Sequence, residues 1–353
     1  MEIVYVHLGT TRNNYLASAI DRSLSLFPKV KHTLILDSLE LTNTISSKVS
    51  LIKNESRVLE SEMIQRDVNL EFRMGYWNLT LERIFAVLNY QIKNNLRHVL
   101  HVESDVILMK TFPFQNIQEC NYVHWCEYGE GYDVASLLHI PNSQNAVLLK
   151  EKLLLILKQN PKFTDMQLLF MARNTGVNIR LFPSTATDYC ESNSKPNINY
   201  CKCFPIDSIF DGLTYGMYLS GQDPRNNYGR YSVGDNSPYD SRATHLNPRK
   251  YSWTLDVNSN LHAKSFCCGK VVVLQNLHIH SKNLQLFGNN WSSNLLKLVR
   301  VANRHKRVNF FSWKVAYEIF RSAIRSGNTW SFLSNSPPIA GFKRTILSLV
   351  RGK

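Results

Sequence analysis

The chain has 353 residues, 44% of them hydrophobic, enough for one large or two small domains with a sizeable core and incompatible with global disorder. Only 19% are charged, yet the net charge is +14, and it sits at one end: Lys297–Lys353 holds twelve Lys and Arg against one acid, Glu318, leaving +3 for residues 1–296. Such a body argues against a fold that is basic throughout, as a nucleic-acid-binding protein would be, while the tail favours polyanionic partners.

In chain order, residues 2–8 (EIVYVHL) predict a buried strand, followed by a polar loop, Gly9-Thr10-Thr11-Arg12-Asn13-Asn14. Residues 15–27 carry apolar positions at helical spacing (Leu16, Ile20, Leu24, Phe27), with Pro28 just beyond, and 32–37 (HTLILD) predict a second strand ending in Asp37. This βαβ opening implies a parallel sheet with a right-handed crossover. Ligands bind such sheets beyond the carboxyl ends of their strands, which places the 9–14 loop and Asp37 on the binding edge. A short strand is expected near 49–53 and a long amphipathic helix over 77–93, with Leu81, Ile84, Phe85 and Leu88 on one face. Residues 97–109 are two apolar runs interrupted by acids. Helices are expected at 143–158, 164–173 and 211–220, strands at 178–182 and 270–279, and long loops at 184–208 and 222–260. Beyond Trp291 the chain reads as helical and basic.

Seven cysteines are present; Cys201 and Cys203 form C-x-C and Cys267 and Cys268 are adjacent. Neither pair has the C-x-x-C spacing of a structural zinc site, so reduced, mostly buried thiols are expected. No signal peptide and no transmembrane helix is expected, which implies a cytoplasmic chain, peripheral at most to the inner face of a membrane.

Three segments carry chemistry. In Val102-Glu103-Ser104-Asp105, two carboxylates at the end of a buried strand suit a hard divalent cation, Mn²⁺ or Mg²⁺, with diphosphate oxygens completing its shell. The competing reading is an acidic turn between two strands. In Asn276-Leu277-His278-Ile279-His280-Ser281-Lys282, either His278 or His280 can complete a metal shell and Lys282 can neutralise a phosphate; either imidazole can equally be a core histidine. In the third, Asp211 and Asp223 are candidates for the base that takes a proton from an acceptor hydroxyl. Against this stands the ordinary role of Asp as a helix cap, favoured for Asp211, and of Asp-Pro as a turn.

Taken together, these segments and the Trp-bearing helix Tyr76-Trp77-Asn78-Leu79-Thr80-Leu81-Glu82-Arg83 resemble a group of bacterial and viral GT-A-fold glycosyltransferases over roughly 1–290. The resemblance implies an α/β fold: a GT-A-type, Rossmann-like mixed sheet flanked by helices over 1–290, with a basic helical C-terminal extension over 291–353. HVESD resembles the D-x-D motif of that fold with Glu103 in place of the first Asp, so Asp105 is the stronger metal ligand. LHIHSK resembles a C-terminal segment whose His reaches metal and diphosphate, and His280 is favoured over His278. Gly9, Thr10, Thr11, Arg12, Asp37, Glu103, Ser104 and Lys282 are then the expected donor-binding positions.

The activity implied is divalent-metal-dependent transfer of a sugar, of hexosyltransferase type, from a nucleotide-diphosphate sugar to a glycan or lipid-linked acceptor. A metal-dependent nucleotidyltransferase and a basic nucleic-acid-binding protein are the rival classes. In the tail, Phe310, Phe311, Trp313, Tyr317 and Phe320 alternate with Lys314 and Arg321, which suits either an anionic membrane surface or packing on the catalytic body.

Overall fold

The computed structural model describes residues 1–9, 14–39, 45–55, 57–68, 75–129, 131–175, 178–185, 201, 203–221, 247–266, 269–280, 286–288 and 290–307. Strand β1 (Glu2–His7), helix α1 (Asn14–Leu26) and strand β2 (Lys31–Leu36) form the expected βαβ unit, and β3 (Ser50–Lys53) adds a parallel edge. After the short α2 (Val58–Ser61) and the long α3 (Tyr76–Lys93), β4 (Val99–Val102) returns parallel to β1. Beyond β5 (Val106–Leu108) and α4 (Phe114–Glu119), the strands β6 (Val123–Gly129) and β7 (Tyr132–Ile140) form a hairpin. Helices α5 (Ser143–Gln159) and α6 (Asp165–Arg173) lead to β8 (Ile179–Leu181). The main sheet runs β3-β2-β1-β4-β7-β6-β8 and is mixed, because β7 lies antiparallel to both β4 and β6. The opening βαβ unit is parallel, as its pattern implies, and the β6–β7 hairpin makes the whole sheet mixed, as the family resemblance implies.

Both faces of this sheet are covered, which is why β1 reads as a continuous apolar run. Val4 and Val6 join α3, α5 and α6 in one core, where Leu81, Phe85, Leu153 and Leu168 are fully buried. Ile3 and Tyr5 face the other way, onto Leu16 and Ile20 of α1 and Ile117 of α4. Each such side chain contributes about 1.5–3 kcal/mol by leaving water.

A second, four-stranded sheet follows, in the order β10-β11-β12-β9, from β9 (Ser208–Ile209), β10 (Tyr251–Leu255), β11 (Leu261–Ser265) and β12 (Val271–Leu274). The stretch expected as one strand at 270–279 divides at Gln275: β13 (Asn276–His278) leaves the second sheet and pairs antiparallel with β5. Two side-chain bonds hold Gln275 at this junction, one from its amide to Ser208 Oγ at 3.0 Å and one to its Oε1 from Thr111 Oγ1 at 3.1 Å. Helix α7 (Thr214–Ser220) and helix α8 (Trp291–Arg307) pack on this part of the fold.

Cys120 and Cys203 bring their sulfurs into bonding contact, while Cys126 and Cys201 are free and buried. This departs from the expectation of reduced thiols throughout. Pairs 83 residues apart leave no spacing signature in a sequence.

The basic helix does not begin outside the fold. Leu295, Val299 and Ala302 are buried in the third core, and Asn303 donates to the Trp253 carbonyl at 2.6 Å, so the compact unit runs to Asn303. The aromatic and basic stretches at 310–325 and 341–353 lie outside the described residues. No described helix is long and apolar enough to cross a membrane. Leu295→Ala should cost about 3 kcal/mol of stability in a denaturant titration, whereas Val301→Ala, at 37% exposure, should stay within about 0.5 kcal/mol. Equal, negligible effects would mean that α8 does not pack on the body.

Candidate active site

The carboxyl ends of β1, β2 and β4 line one edge of the main sheet. At this edge Gly9, at φ +95°, donates its N–H to Asp37 Oδ2 at 2.6 Å. Arg57 forms an ion pair with the same carboxylate. Asp37 therefore stands where the βαβ pattern puts it, already tied to the loop after β1. Thr10, Thr11 and Arg12 lie outside the described residues.

Between β4 and β5 the chain turns over Glu103-Ser104-Asp105, with Val106 N–H donating to the Glu103 carbonyl at 3.0 Å. Antiparallel pairing sets His278 opposite Val106, and Ile279 N–H donates to the Asp105 carbonyl at 2.7 Å. That register delivers the His278 ring to the acids. Its Nε2 lies 3.1 Å from Asp105 Oδ2 and 3.7 Å from Glu103 Oε2. One ligand atom from each of Glu103, Asp105 and His278 falls within 4.8 Å of the others. A one-residue slip in the β5–β13 register would turn His278 to the opposite face.

The ring's hydrogen bonds turn its Nε2 toward the acids. His278 Nδ1 lies 2.8 Å from the Gly212 carbonyl, which can only accept, so Nδ1 carries the proton. Nε2 then faces a carboxylate oxygen. Either it too is protonated, or its lone pair and the carboxylates share a cation. Two carboxylates and an imidazole oriented through its other nitrogen by a backbone carbonyl form a fitting donor set for Mn²⁺ or Mg²⁺.

The sequence favoured His280 as the histidine of this set, but among the described residues the converging set contains His278. The strand ends at His278, and His280 N–H folds back onto the His278 carbonyl at 2.9 Å. Strand alternation, which would put both rings on one side, therefore does not extend to His280. Lys282 lies outside the described residues.

Two charged residues that sequence reasoning passed over stand beside this set. Arg83 of α3 pairs with Glu103, and Asp165, the first residue of α6, is buried in the field of the same guanidinium. Burial pushes the Asp165 carboxyl up, against the pull of Arg83. Burial alone would lower the Arg83 pKa, but Glu103 and Asp165 more than offset it, so Arg83 is held firmly as a cation. The signal for Asp165 was present: Thr164 and Gln167 form a capping box that fixes the start of α6. Arg83 carried no such signal, because a lone Arg on an amphipathic helix reads as solvated.

Asp211 is not placed to act as a base. Its carboxylate is fully buried and accepts three backbone N–H bonds, from Tyr215 at 3.0 Å, Gly216 at 2.8 Å and His278 at 2.9 Å. Burial still outweighs these bonds and pushes its pKa up to about 6. A carboxylate with three fixed donors and no exposure is closed to a substrate hydroxyl. Asp211 serves the start of α7 as a cap does, and in addition fastens α7 to β13. Gly216 permits the contact, since a Cβ there would sit 1.7 Å from the His278 carbonyl oxygen. Asp223 lies outside the described residues.

No family model matches this chain, and neither does any curated protein. Solved glycosyltransferase structures do. An active-site mutant of LgtC aligns at 13% identity over 58% of this chain and 85% of its own, with a TM-score of 0.38. The galactosyltransferase LgtC in complex with donor and acceptor sugar analogues aligns at 12% identity over 55% and 79%, with a TM-score of 0.37. The glycosyltransferase GlyE of Streptococcus pneumoniae TIGR4 aligns at 15% identity over 56% and 50%, with a TM-score of 0.33.

Gly216→Ala should destabilise the fold by about 3 kcal/mol, because the added methyl meets backbone on the facing strand, whereas Gly288→Ala, with nothing within 4 Å, should be tolerated. Asp211→Ala should lower the melting temperature by leaving buried N–H groups unsatisfied, at about 1–3 kcal/mol each. An Asp211→Ala protein with wild-type stability but no activity would restore the base assignment.

Proposed function

We propose that this chain is a glycosyltransferase that moves a sugar from a nucleotide-diphosphate donor to a glycan or lipid-linked acceptor with the help of Mn²⁺ or Mg²⁺. The observation that carries the proposal is the convergence of Glu103, Asp105 and His278 at the carboxyl edge of the main sheet. When bound, the cation would hold the donor diphosphate and draw off the negative charge that grows there as the glycosidic bond breaks. Asp105 and His278 are the ligands this reading rests on most, because Glu103 is shared with Arg83.

The remaining roles belong to the chain itself. Arg83 fixes the Glu103 carboxylate and keeps a positive charge beside the site. Asp165 balances that charge from the other side and is buried deeply enough to stay in place. Asp37 and Gly9, on the same edge, are the proposed nucleoside contacts, with Thr10, Thr11, Arg12, Ser104 and Lys282 as further donor-binding positions and Asp223 as the remaining candidate base. The stretches beyond 307 are proposed to rest on an anionic membrane surface, where a lipid-linked acceptor would be presented.

Turnover of a nucleotide-sugar panel, measured with and without Mn²⁺, tests the reading. Asp105→Asn should lose at least about a hundredfold in transfer while keeping its fold. His278→Ala should fall comparably, and His280→Ala much less. Near-normal turnover of Asp105→Asn with unchanged Mn²⁺ dependence would sink the metal assignment.

A further inference from the structure

Away from this site, the sulfurs of Cys120, Cys201 and Cys203 all lie within 4.8 Å of one another. Cys120 follows α4, with its Sγ 3.6 Å from Cys201 Sγ. Cys201 joins the edge of the main sheet, donating its N–H to the Leu181 carbonyl at 3.0 Å. Cys203 touches Cys120, and its carbonyl accepts from Asn116 Nδ2 of α4 at 2.9 Å. Cys120 and Cys201 are buried and Cys203 is half-buried. Stretches of chain 81 residues apart thus bring three sulfurs to one point among the aromatic side chains of the second core.

A disulfide alone needs two sulfurs, and the third is unaccounted for by it. The 3.6 Å gap between Cys120 and Cys201 is close to the sulfur–sulfur edge of a tetrahedral zinc thiolate, about 3.8 Å for Zn–S bonds of about 2.3 Å. The surroundings favour negative sulfur only in part. Burial raises the Cys201 thiol above its ordinary range, although the Cys203 N–H, which donates to its sulfur at 3.4 Å, and the Arg180 charge both pull the other way. A thiolate buried here calls for a cation in direct contact.

We propose that Cys120, Cys201 and Cys203, when reduced, form a three-thiolate site for one borderline or soft cation such as Zn²⁺. A dithiol reductant supplies the two electrons and two protons that separate Cys120 from Cys203. Metal binding then releases the three thiol protons and moves no electron. The bound ion fastens α4 and the sheet edge to the segment that runs directly into Asp211. The site is therefore structural, and it holds the approach to the candidate active site in place.

Cobalt is the probe that distinguishes this site from the oxygen-rich one. Full-length protein, reduced with a phosphine, is titrated with Co²⁺ and then with Zn²⁺. A thiolate-to-cobalt charge-transfer band should appear in the near ultraviolet and be displaced by one equivalent of Zn²⁺. Asp105→Asn should keep the band, which separates this cluster from the candidate active site. Cys201→Ser should weaken Zn²⁺ binding by at least about tenfold, although Cys201 takes no part in the Cys120–Cys203 contact. No band in the reduced, folded wild-type protein would overturn the proposal, as would a Cys201→Ser protein with unchanged Zn²⁺ affinity. If Cys201→Ser fails to fold, the melting temperature of the wild type decides: it should rise with Zn²⁺ under reduction and fall again with chelator, and no change would overturn the proposal.

Discussion

One buried carboxylate organises the candidate site. Asp211 accepts N–H bonds from Tyr215 and Gly216 at the start of α7 and from His278 on β13, so a single side chain joins a helix to a strand. The joint is reinforced in both directions. Asn276 accepts from the Asp211 N–H at 3.0 Å and donates to the Asp211 carbonyl at 2.7 Å. The neighbouring Gly212 carbonyl takes the Nδ1 proton of His278. The backbone of His278 and the tautomer of its ring are thus both fixed by two consecutive residues. Such a carboxylate is costly to bury, and the cost is borne where a displacement of a fraction of an ångström would separate His278 from Asp105.

The same joint explains how the two sheets meet. Pairing between β5 and β13 bridges the acid-bearing turn and the histidine, while β9 and β12, paired in the second sheet, run directly into Asp211 and into β13. Glycine is required at the closest approaches. A Cβ on Gly212 would lie 2.7 Å from Val134 and 2.9 Å from the Glu127 carbonyl oxygen, so the 211–216 turn can press against the β6–β7 hairpin only without side chains there.

Much of this was legible in the sequence where the local pattern and the tertiary environment agree. The opening βαβ unit shows because β1 is apolar on both faces and α1 is apolar on one. The Glu103–Asp105 pair shows because acids stand out at the end of an apolar strand. The β6–β7 hairpin was missed because its buried positions include His124, Asp133 and His139, whose polar side chains hide the strand pattern. Trp125 Nε1 satisfies Asp133 across the hairpin itself, and Arg173 does so from the distant α6. Arg83 was missed because its partner Glu103 lies across the fold, and the capping box that marks Asp165 as a helix start says nothing of the guanidinium beside it. The preference for His280 came from the family resemblance, and no sequence pattern marks that the strand already ends at His278, the histidine that converges on the acids.

The central claim is that His278, Asp105 and Glu103 jointly hold a divalent cation against a nucleoside diphosphate. Anomalous diffraction at the manganese edge, from crystals grown with Mn²⁺ and a nucleoside diphosphate, tests it most directly. The account predicts a single strong peak about 2.0–2.3 Å from an Asp105 carboxylate oxygen and from His278 Nε2, with diphosphate oxygens beside it. A manganese peak elsewhere, with His278 Nε2 still hydrogen-bonded to Asp105, would contradict it.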